Sequence, residues 1–423
     1  AIIICILAPA IAIPRAASLI IKDSPKEVID QVWQIIYRDY LDSNGNYNSK
    51  EWLNLRKEIL GKKYFEPSDG HDAIKAMLTK LDDPYTRFLD PKDFKEMRID
   101  TSGELTGIGI QLSLNENTKE LLVVSPIEDT PAFKAGVKAN DIIISIDGKN
   151  TEGMNIEEAV KLIRGKKGTT LKLGILREEE ILKFSLVRAR IEIRSVVSRI
   201  NNTNYDLKVG YIRLKQFNAN AAKDMREAIY KLEEQNPSGY ILDLRGNPGG
   251  LLESSIVIAR QWINEGVIVS TKSRNGIKDV RKATGKALTS RPLVVLVNEG
   301  SASASEILAG AIQENKRGIL VGKKTFGKGL VQSVRPLIDG SGLTVTVAKY
   351  LTPNGTDINK HGIKPNVEVE LKLHQRKRIT TFDLGTSKDS QYIFAEVLLI
   401  KDINSKSNKV LSIIGNNKNT YSL

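Results

Sequence analysis

Apolar and polar residues alternate with different periods along the chain, and each period predicts a different kind of structure. In the first part apolar residues recur every three to four positions, as in SPKEVIDQVWQIIYRDYL, where Ser24 and Pro25 provide a helix N-cap and first helical residue. From Gly103 onward ELTGIGIQLSL, ELLVVSPI, DIIISIDG and TTLKLGIL have the short, turn-bounded pattern of strands, with one helix, NIEEAVKLIRG, among them. We therefore predict a helical region at 24–102 and a mainly β module at 103–188.

Strands alternate with helices in the next part of the chain. VGYIRL, GYILDLRGNPGG and PLVVLVNEGS are each followed by a helical pattern, which predicts an α/β core with parallel strands at 189–372. The last segment, 373–423, is polar apart from one predicted helix, SQYIFAEVLLIK, and we expect its tail to fray. The predicted fold class is a multidomain α/β plus β protein.

The first fourteen residues, AIIICILAPAIAIP, carry no charge and contain small-residue A-x-A patterns. This composition is typical of the apolar region and cleavage zone of a secretory signal, so we predict an export segment at 1–23. The run is shorter than the roughly 20 residues of a membrane span, and an uncleaved anchor is the alternative. Cys5 is the only cysteine of the chain, so beyond this segment disulfides, thiol nucleophiles and cysteine-ligated metals are excluded, while the redox compartment stays open.

The 423 residues are 41% apolar and 27% charged, the composition of an ordinary globular chain with several domains. The net charge of +13 raises the question of a nucleic acid or an anionic membrane surface as partner. Basic residues are scattered, however, and RGKK at 164–167 and HQRKR at 374–378 are only short clusters. We interpret them as solvated surface and expect no nucleic-acid partner; peripheral association with a membrane stays open.

Two loops of the predicted α/β core follow strands, where sites of open parallel sheets collect. In RGNPGG, Gly249 and Gly250 allow backbone amides to face outward toward an oxyanion, although a tight turn alone would also use them. In NEGSASASEILAGA, Ser303 followed by Glu306 forms the S-x-x-E pattern of a helix capping box, and the same serine is a candidate nucleophile.

A serine nucleophile needs a proton acceptor, and none of the three histidines (His71, His361 and His374) lies in a strand-end loop of the core. Lysine is the remaining common base, but only when burial lowers its pKa from about 10.4 by roughly three units. Lys328 in KKTFGKGLVQ leads into an apolar strand, and Gln332 lies on the same side of that strand. The stretch from Gly322 to Lys328 also matches G-x-x-x-x-G-K of a phosphate-binding loop, but Gly329 replaces the required Ser or Thr, and a strand follows rather than a helix.

Several long motifs in one order resemble the carboxyl-terminal processing proteases, also called tail-specific proteases, most closely their cyanobacterial and chloroplast type. These motifs are VWQIIYRDYLD, LDDPYTRFLDPKDF, TSGELTGIGIQL, LRGNPGG, GSASASEILAGA and KKTFGKGLVQ. The resemblance implies a serine endopeptidase with a Ser/Lys dyad and neither metal nor cofactor. It gives Ser303 as nucleophile, Lys328 as base and Gln332 as the residue that orients the lysine, with backbone amides of Gly249 and Ala304 as the oxyanion hole. The supporting residues it implies are Asp243, Arg245 and Glu306.

The same resemblance implies that residues 103–188 form a PDZ domain and that the core has a mixed sheet of the ClpP/crotonase type. A PDZ domain captures a C-terminal peptide by strand addition. Its carboxylate loop would be Thr106, Gly107, Ile108 and Gly109, and Ile110 would open the docking strand. Arg164 corresponds to an arginine that senses substrate in some relatives; it is equally a solvated charge at a helix end.

The resemblance further implies that the substrates are C-terminal tails of exported proteins. The precursor of the photosystem II protein D1, processed in the thylakoid lumen, is the expected substrate, and a periplasmic protease of broader range is the alternative. A PDZ-bearing binding protein without activity and a nucleotide-binding protein are the other classes. The oligomeric state is not indicated.

Overall fold

The computed structural model describes residues 24–115, 118–127, 129–192, 194–276, 278–370 and 383–418, so the predicted export segment lies outside the described residues. Within them the chain divides into two units. One comprises residues 24–94 and 332–347, and the other comprises residues 95–331 and 348–418. No helix in these described ranges has an apolar stretch long enough to cross a membrane.

The first unit is built on three helices and a short strand: α1 (Pro25–Asp39), α2 (Ser49–Gly61), α3 (Pro67–Thr79) and β1 (Arg87–Leu89). As predicted, α1 begins with Ser24 as N-cap and Pro25 as its first residue. Its apolar face is buried against the other two helices, and the indole of Trp33 donates a hydrogen bond to the carbonyl of Trp52 at 2.8 Å. The helical pattern did not predict β1, whose three residues pair antiparallel with 342–344.

The β module follows helix α4 (Pro91–Ser102). Its elements are β2 (Glu104–Gly107), β3 (Ile110–Leu114), β4 (Leu121–Pro126), α5 (Pro131–Lys134), β5 (Ile142–Ile146), β6 (Lys149–Asn150), α6 (Ile156–Ile163), β7 (Thr170–Arg177), β8 (Glu180–Val187) and β9 (Ala189–Glu192). The strands β3, β4, β5, β7 and β8 form an antiparallel sheet in that order, with β6 beside β5, while β2 pairs with β9. Strand β3 therefore lies at the edge of its sheet.

The α/β core contains β10 (Val196–Asn202), β11 (Lys208–Leu214), α7 (Ala221–Glu233), β12 (Gly239–Asp243), α8 (Leu252–Trp262), β13 (Val267–Ser273), β14 (Lys278–Lys282), β15 (Leu293–Val297), α9 (Ala304–Glu314), β16 (Ile319–Gly322), β17 (Leu330–Pro336), β18 (Gly342–Leu351), β19 (Val367–Glu368) and α10 (Ser390–Lys418). Its main sheet has the order β10-β11-β12-β15-β16-β19. All neighbours in it are parallel except β10 and β11.

Helices cover both faces of this sheet. Residues of α7, α8 and α9 pack on one face and those of α10 on the other. This agrees with the fully buried strands GYILD and LVVLV, since strands buried on both faces show no alternation. The mixed sheet is thus confirmed, whereas the hairpin β13–β14 was not predicted and α10 continues far beyond the predicted helix, to Lys418.

Candidate functional site

Three loops of the core meet at one edge of the main sheet. RGNPGG follows β12, NEGSASAS follows β15 and KKTFGKG follows β16, and these three strands are parallel neighbours. The carboxyl ends of parallel neighbours lie at the same edge. The topology therefore brings together the two loops chosen from the sequence and the loop that carries Lys328.

Ser303 is the N-cap of α9, and its backbone has φ 55° and ψ −113°. A side chain other than glycine in the positive φ region is uncommon and costs about 1–3 kcal/mol. The chain turns sharply here from the loop after β15 into the helix, as it does at the strained nucleophile turn of α/β-hydrolases. The predicted capping pattern is present, because Glu306 accepts a hydrogen bond from the Ser303 N–H at 2.8 Å.

Gly249 packs directly against this turn. With φ 101°, a Cβ at this position would lie 2.7 Å from the carbonyl oxygen of Ala302, 2.9 Å from Cβ of Ser303 and 3.0 Å from the backbone nitrogen of Ala304. Glycine is required for that approach. The N–H of Gly249 donates to Oδ1 of Asn247 at 2.9 Å, so this predicted oxyanion donor has a protein partner in the structure.

Ala304 is the first residue of α9, where a backbone N–H has no carbonyl acceptor within its own helix. Such an amide, at the positive end of a helix, suits an anionic ligand. The residues of the two predicted oxyanion amides thus lie close together. To bind an oxyanion, the Gly249 N–H would first have to break its hydrogen bond to Asn247.

Glu306 connects the two predicted members of the dyad. Its side chain is fully buried, and one carboxylate oxygen accepts the N–H of Ser303 at 2.8 Å and the N–H of Lys328 at 2.9 Å. The other oxygen accepts the Thr325 hydroxyl at 2.6 Å and the Gly327 N–H at 2.7 Å. Since the N–H groups of Ser303 and Lys328 bind the same oxygen atom, their backbone nitrogens lie close together.

The loop around Lys328 is wedged against residues 359–362. A Cβ at Gly327 would lie 2.8 Å from the Gly362 nitrogen, and one at Gly329 would lie 2.7 Å from the Asn359 nitrogen. Lys328 itself is half-buried. Strand β17 starts at Leu330, so the helix that a phosphate-binding loop needs does not follow.

Asp243 and Arg245 belong to a buried ionic cluster beside the RGNPGG loop. Arg245 donates to both oxygens of Asp243, at 2.9 and 2.6 Å, and to both oxygens of Asp389, at 3.0 and 2.6 Å. Burial alone would lower the pKa of Arg245, but the two carboxylates outweigh it and hold that pKa above its ordinary value. The cluster ties the segment before α10 to the end of β12.

Gln332, the predicted orienting residue, lies on β17, and its amide donates to the Thr346 hydroxyl at 3.4 Å. Gln332 belongs to the first unit, whereas Ser303 and Lys328 belong to the second, larger unit. Its predicted role toward Lys328 stays a prediction.

In the β module the four residues predicted as a carboxylate loop divide into two pairs. Thr106 and Gly107 are strand residues of β2, paired with β9, so only Ile108 and Gly109 form the connection to β3. This corrects the predicted loop, because the strand pairing extends two residues further than the turn residues indicated. Ile110 begins β3 as predicted.

Helix α6 ends at Ile163, and the half-buried Arg164 that follows is its C-cap residue. At this helix end the buried side chain of Arg188 donates to the carbonyls of Leu162 and Ile163, both at 2.9 Å. A cation at a helix C-terminus is stabilising. These contacts fix the helix end and do not test the predicted sensing role of Arg164.

Known proteins resemble this chain along most of its length. The description "Peptidase family S41" matches residues 208–369, and "PDZ domain" matches residues 96–176. A carboxyl-terminal-processing protease of Synechocystis sp. is 43% identical over 376 residues, covering 88% of this chain and 86% of the relative.

The chain belongs to peptidase family S41. It is a serine peptidase with a PDZ domain, as the sequence predicted. Carboxyl-terminal-processing peptidase 2 of Arabidopsis thaliana chloroplasts is 40% identical over 79% of the chain and 67% of the relative. The solved structure of a photosystem II D1 C-terminal processing protease matches with a TM-score of 0.54 and 36% identity, covering 82% of this chain and 93% of the other.

Sequence reasoning did not select four residues that contact the predicted site residues: Asn247, Thr325, Tyr350 and Asp389. Asp389 accepts from the N–H of Tyr392 at the start of α10, so the pattern D-S-Q-Y before a predicted helix was an available capping signal. Tyr350 and Thr325 gave no comparable signal, because their partners are distant in sequence. Among the described residues no group of three or more His, Cys, Asp or Glu side chains could hold a metal ion.

Proposed function

We propose that this peptidase removes C-terminal tails with Ser303 as nucleophile and Lys328 as general base. The uncharged amine of Lys328 takes the hydroxyl proton while Oγ of Ser303 bonds to the scissile carbonyl carbon. The resulting oxyanion is bound by backbone N–H groups of Ala304 and Gly249. The lysine returns the proton to the leaving amine, and a water molecule that it deprotonates then releases the tail-free product from the acyl-enzyme.

The observation that carries this proposal is the carboxylate of Glu306. One of its oxygens binds both the Ser303 N–H and the Lys328 N–H, at 2.8 and 2.9 Å. A buried carboxylate is stabilised only when its lone pairs are satisfied, and here four donors satisfy them. The spacing between the two reacting residues is thus set by backbone groups.

Strand β3 supports the second part of the proposal, the capture of the tail by the PDZ domain. Since β3 lies at the edge of its sheet, its unpaired side is available to an added strand. The short connection of Ile108 and Gly109 precedes it, in the position where a PDZ domain receives a terminal carboxylate. Arg164 lies at the end of α6 in the same domain and would respond to the bound tail.

For the substrate we propose the C-terminal extension of the D1 precursor, processed in the thylakoid lumen or periplasm. Support comes from the relatives in Synechocystis and in Arabidopsis chloroplasts and from the solved D1 C-terminal processing protease. A broader range of tails is the second candidate, since a carboxy-terminal processing protease of Bacillus subtilis is also 42% identical over 75% of the chain and 68% of the relative and its name specifies no substrate.

The test uses the full chain with two peptides, one ending in the D1 extension and one ending in an unrelated apolar tail, with products identified by mass spectrometry. We expect cleavage by the wild type and only background cleavage by Ser303→Ala and Lys328→Ala. Lys324→Ala, which removes an exposed lysine of the same loop, is the matched control and should retain activity. Equal product from Lys328→Ala and wild type would refute the dyad, and equal rates on both peptides would favour the broader range.

A further inference from the structure

Tyr350 lies on β18 in the core of the larger unit and is only 2% exposed. Its hydroxyl faces three oxygens that belong to the proposed site. They are the carbonyl of Ser303 at 3.1 Å, the carbonyl of Lys328, which is the nearest, and Oε2 of Glu306 at 3.5 Å. One buried phenol thus meets both members of the proposed dyad and the carboxylate that connects them.

The backbone of Tyr350 makes a second contact with the lysine loop. Its N–H donates to the carbonyl of Gly329 at 3.0 Å, while its hydroxyl donates to the carbonyl of Lys328. Two successive carbonyls of the loop are therefore bound by one residue, from a strand that pairs with β13 at 348–351. The carbonyl of Ser303, in contrast, already accepts two N–H groups of α9, from Glu306 and Ile307.

We propose that Tyr350 is a positioning residue of the peptidase, which fixes the Lys328 peptide relative to Ser303. The inference rests on the proposed function of these two residues. Glu306 binds the N–H groups of both residues, and the single O–H of Tyr350 donates to the Lys328 carbonyl, so the backbone of Lys328 is held on both sides. The side chain of Lys328 then starts from a fixed Cα, as a base that must reach one hydroxyl requires.

Removing only the hydroxyl isolates this role. In Tyr350→Phe the ring still fills its place in the core, but the Lys328 carbonyl loses the hydroxyl as a donor. The peptide is then expected to turn toward another donor or toward water. A displacement of about 1 Å at a reacting group lowers a rate by roughly 100-fold.

The experiment compares wild type and Tyr350→Phe as full chains on one tail peptide across a range of pH. We expect kcat to fall roughly 10- to 100-fold while KM stays within about twofold, because tail capture does not involve Tyr350. In the displaced loop the Lys328 ammonium is expected to be better hydrated, which raises its pKa. The acidic limb of the kcat profile should therefore move to higher pH. A purely structural role would leave the pH profile unchanged.

Tyr240→Phe is the matched control. Tyr240 is also a fully buried strand tyrosine, and its hydroxyl donates to Glu233 at 2.8 Å, near the amino end of β12 and away from the loops. This variant should lose comparable stability and keep the wild-type pH profile. If Tyr350→Phe has the kcat and pH profile of the wild type while Lys328→Ala is inactive, the inference about Tyr350 is overturned and the proposed function stands. Full activity of Lys328→Ala would overturn the proposed function instead.

Discussion

Replacing Glu306 by glutamine tests whether this carboxylate holds the loop of Ser303 and the loop of Lys328 together. The substitution keeps the size of the side chain, which is fully buried, and removes one of two acceptor oxygens. If the new amide NH₂ faces Ser303 and Lys328, both of their N–H groups lose an acceptor. If the NH₂ instead faces Thr325 and Gly327, the Gly327 N–H loses its acceptor. The Thr325 hydroxyl can rotate and accept a hydrogen bond from the new NH₂.

At least one buried donor is therefore left unsatisfied in either orientation, at about 1–3 kcal/mol for each group. We expect the free energy of unfolding of the Glu306→Gln variant to fall by at least that amount. The orientation that spares the Ser303 and Lys328 contacts should be preferred, because it loses only one donor. We therefore expect a folded enzyme whose kcat on a tail peptide is reduced more than its KM is changed.

Urea unfolding and steady-state cleavage of one tail peptide provide the two measurements. Glu314→Gln is the control, since Glu314 is at the end of the same helix and is not fully buried. It should leave kcat unchanged. The reasoning is refuted if the free energy of unfolding of Glu306→Gln is within about 0.5 kcal/mol of the wild-type value and the variant cleaves at the wild-type rate. The four hydrogen bonds to Glu306 would then be unimportant for the site.

Gly249→Ala should lower kcat by about 10²–10³, because the new Cβ would collide with the backbone of the nucleophile turn; Gly246→Ala, whose Cβ meets open space, should lose far less in the same cleavage assay. Asp389→Ala should destabilise the core by about 3 kcal/mol or more in urea unfolding, because two charge-assisted hydrogen bonds from Arg245 are lost. Burial raises the pKa of Asp141, but hydrogen bonds from the Arg177 guanidinium and the Lys138 N–H outweigh this and hold the pKa below the ordinary value. Asp141→Asn should therefore be less stable at neutral pH, and hydrogen exchange in 142–176 should show the difference vanishing as pH falls below about 4.

The elements that the sequence predicted well are those whose signals are local. The N-cap Ser24, the first-turn Pro25 and the apolar period of α1 act within one helix, and the structure has each of them. The S-x-x-E pattern at Ser303 likewise predicted the start of α9 correctly. The strand–helix alternation of the core was sufficient to place two chemically distinct loops at one edge of a sheet.

Contacts between distant segments could not be predicted in the same way. Glu306 suggested only a capping role, whereas its other donors lie about twenty residues further along, in the loop after β16. Arg245 and Asp389 are separated by 144 residues, and neither shows in sequence that it has a second partner. Their pairing depends on which face of the sheet α10 covers, which a helical period alone does not specify.

The arrangement around Glu306 also shows what this carboxylate does between the loop of Ser303 and the loop of Lys328. The two oxygens of Glu306 offer about four lone-pair positions, and four donors other than the Lys328 amine match them at 2.6 to 2.9 Å. The carboxylate thereby organises the backbone around Ser303 and Lys328. Glu306→Gln should therefore alter the loop at Gly327 and the stability of the fold, whereas Lys328→Ala should remove the proposed chemistry itself.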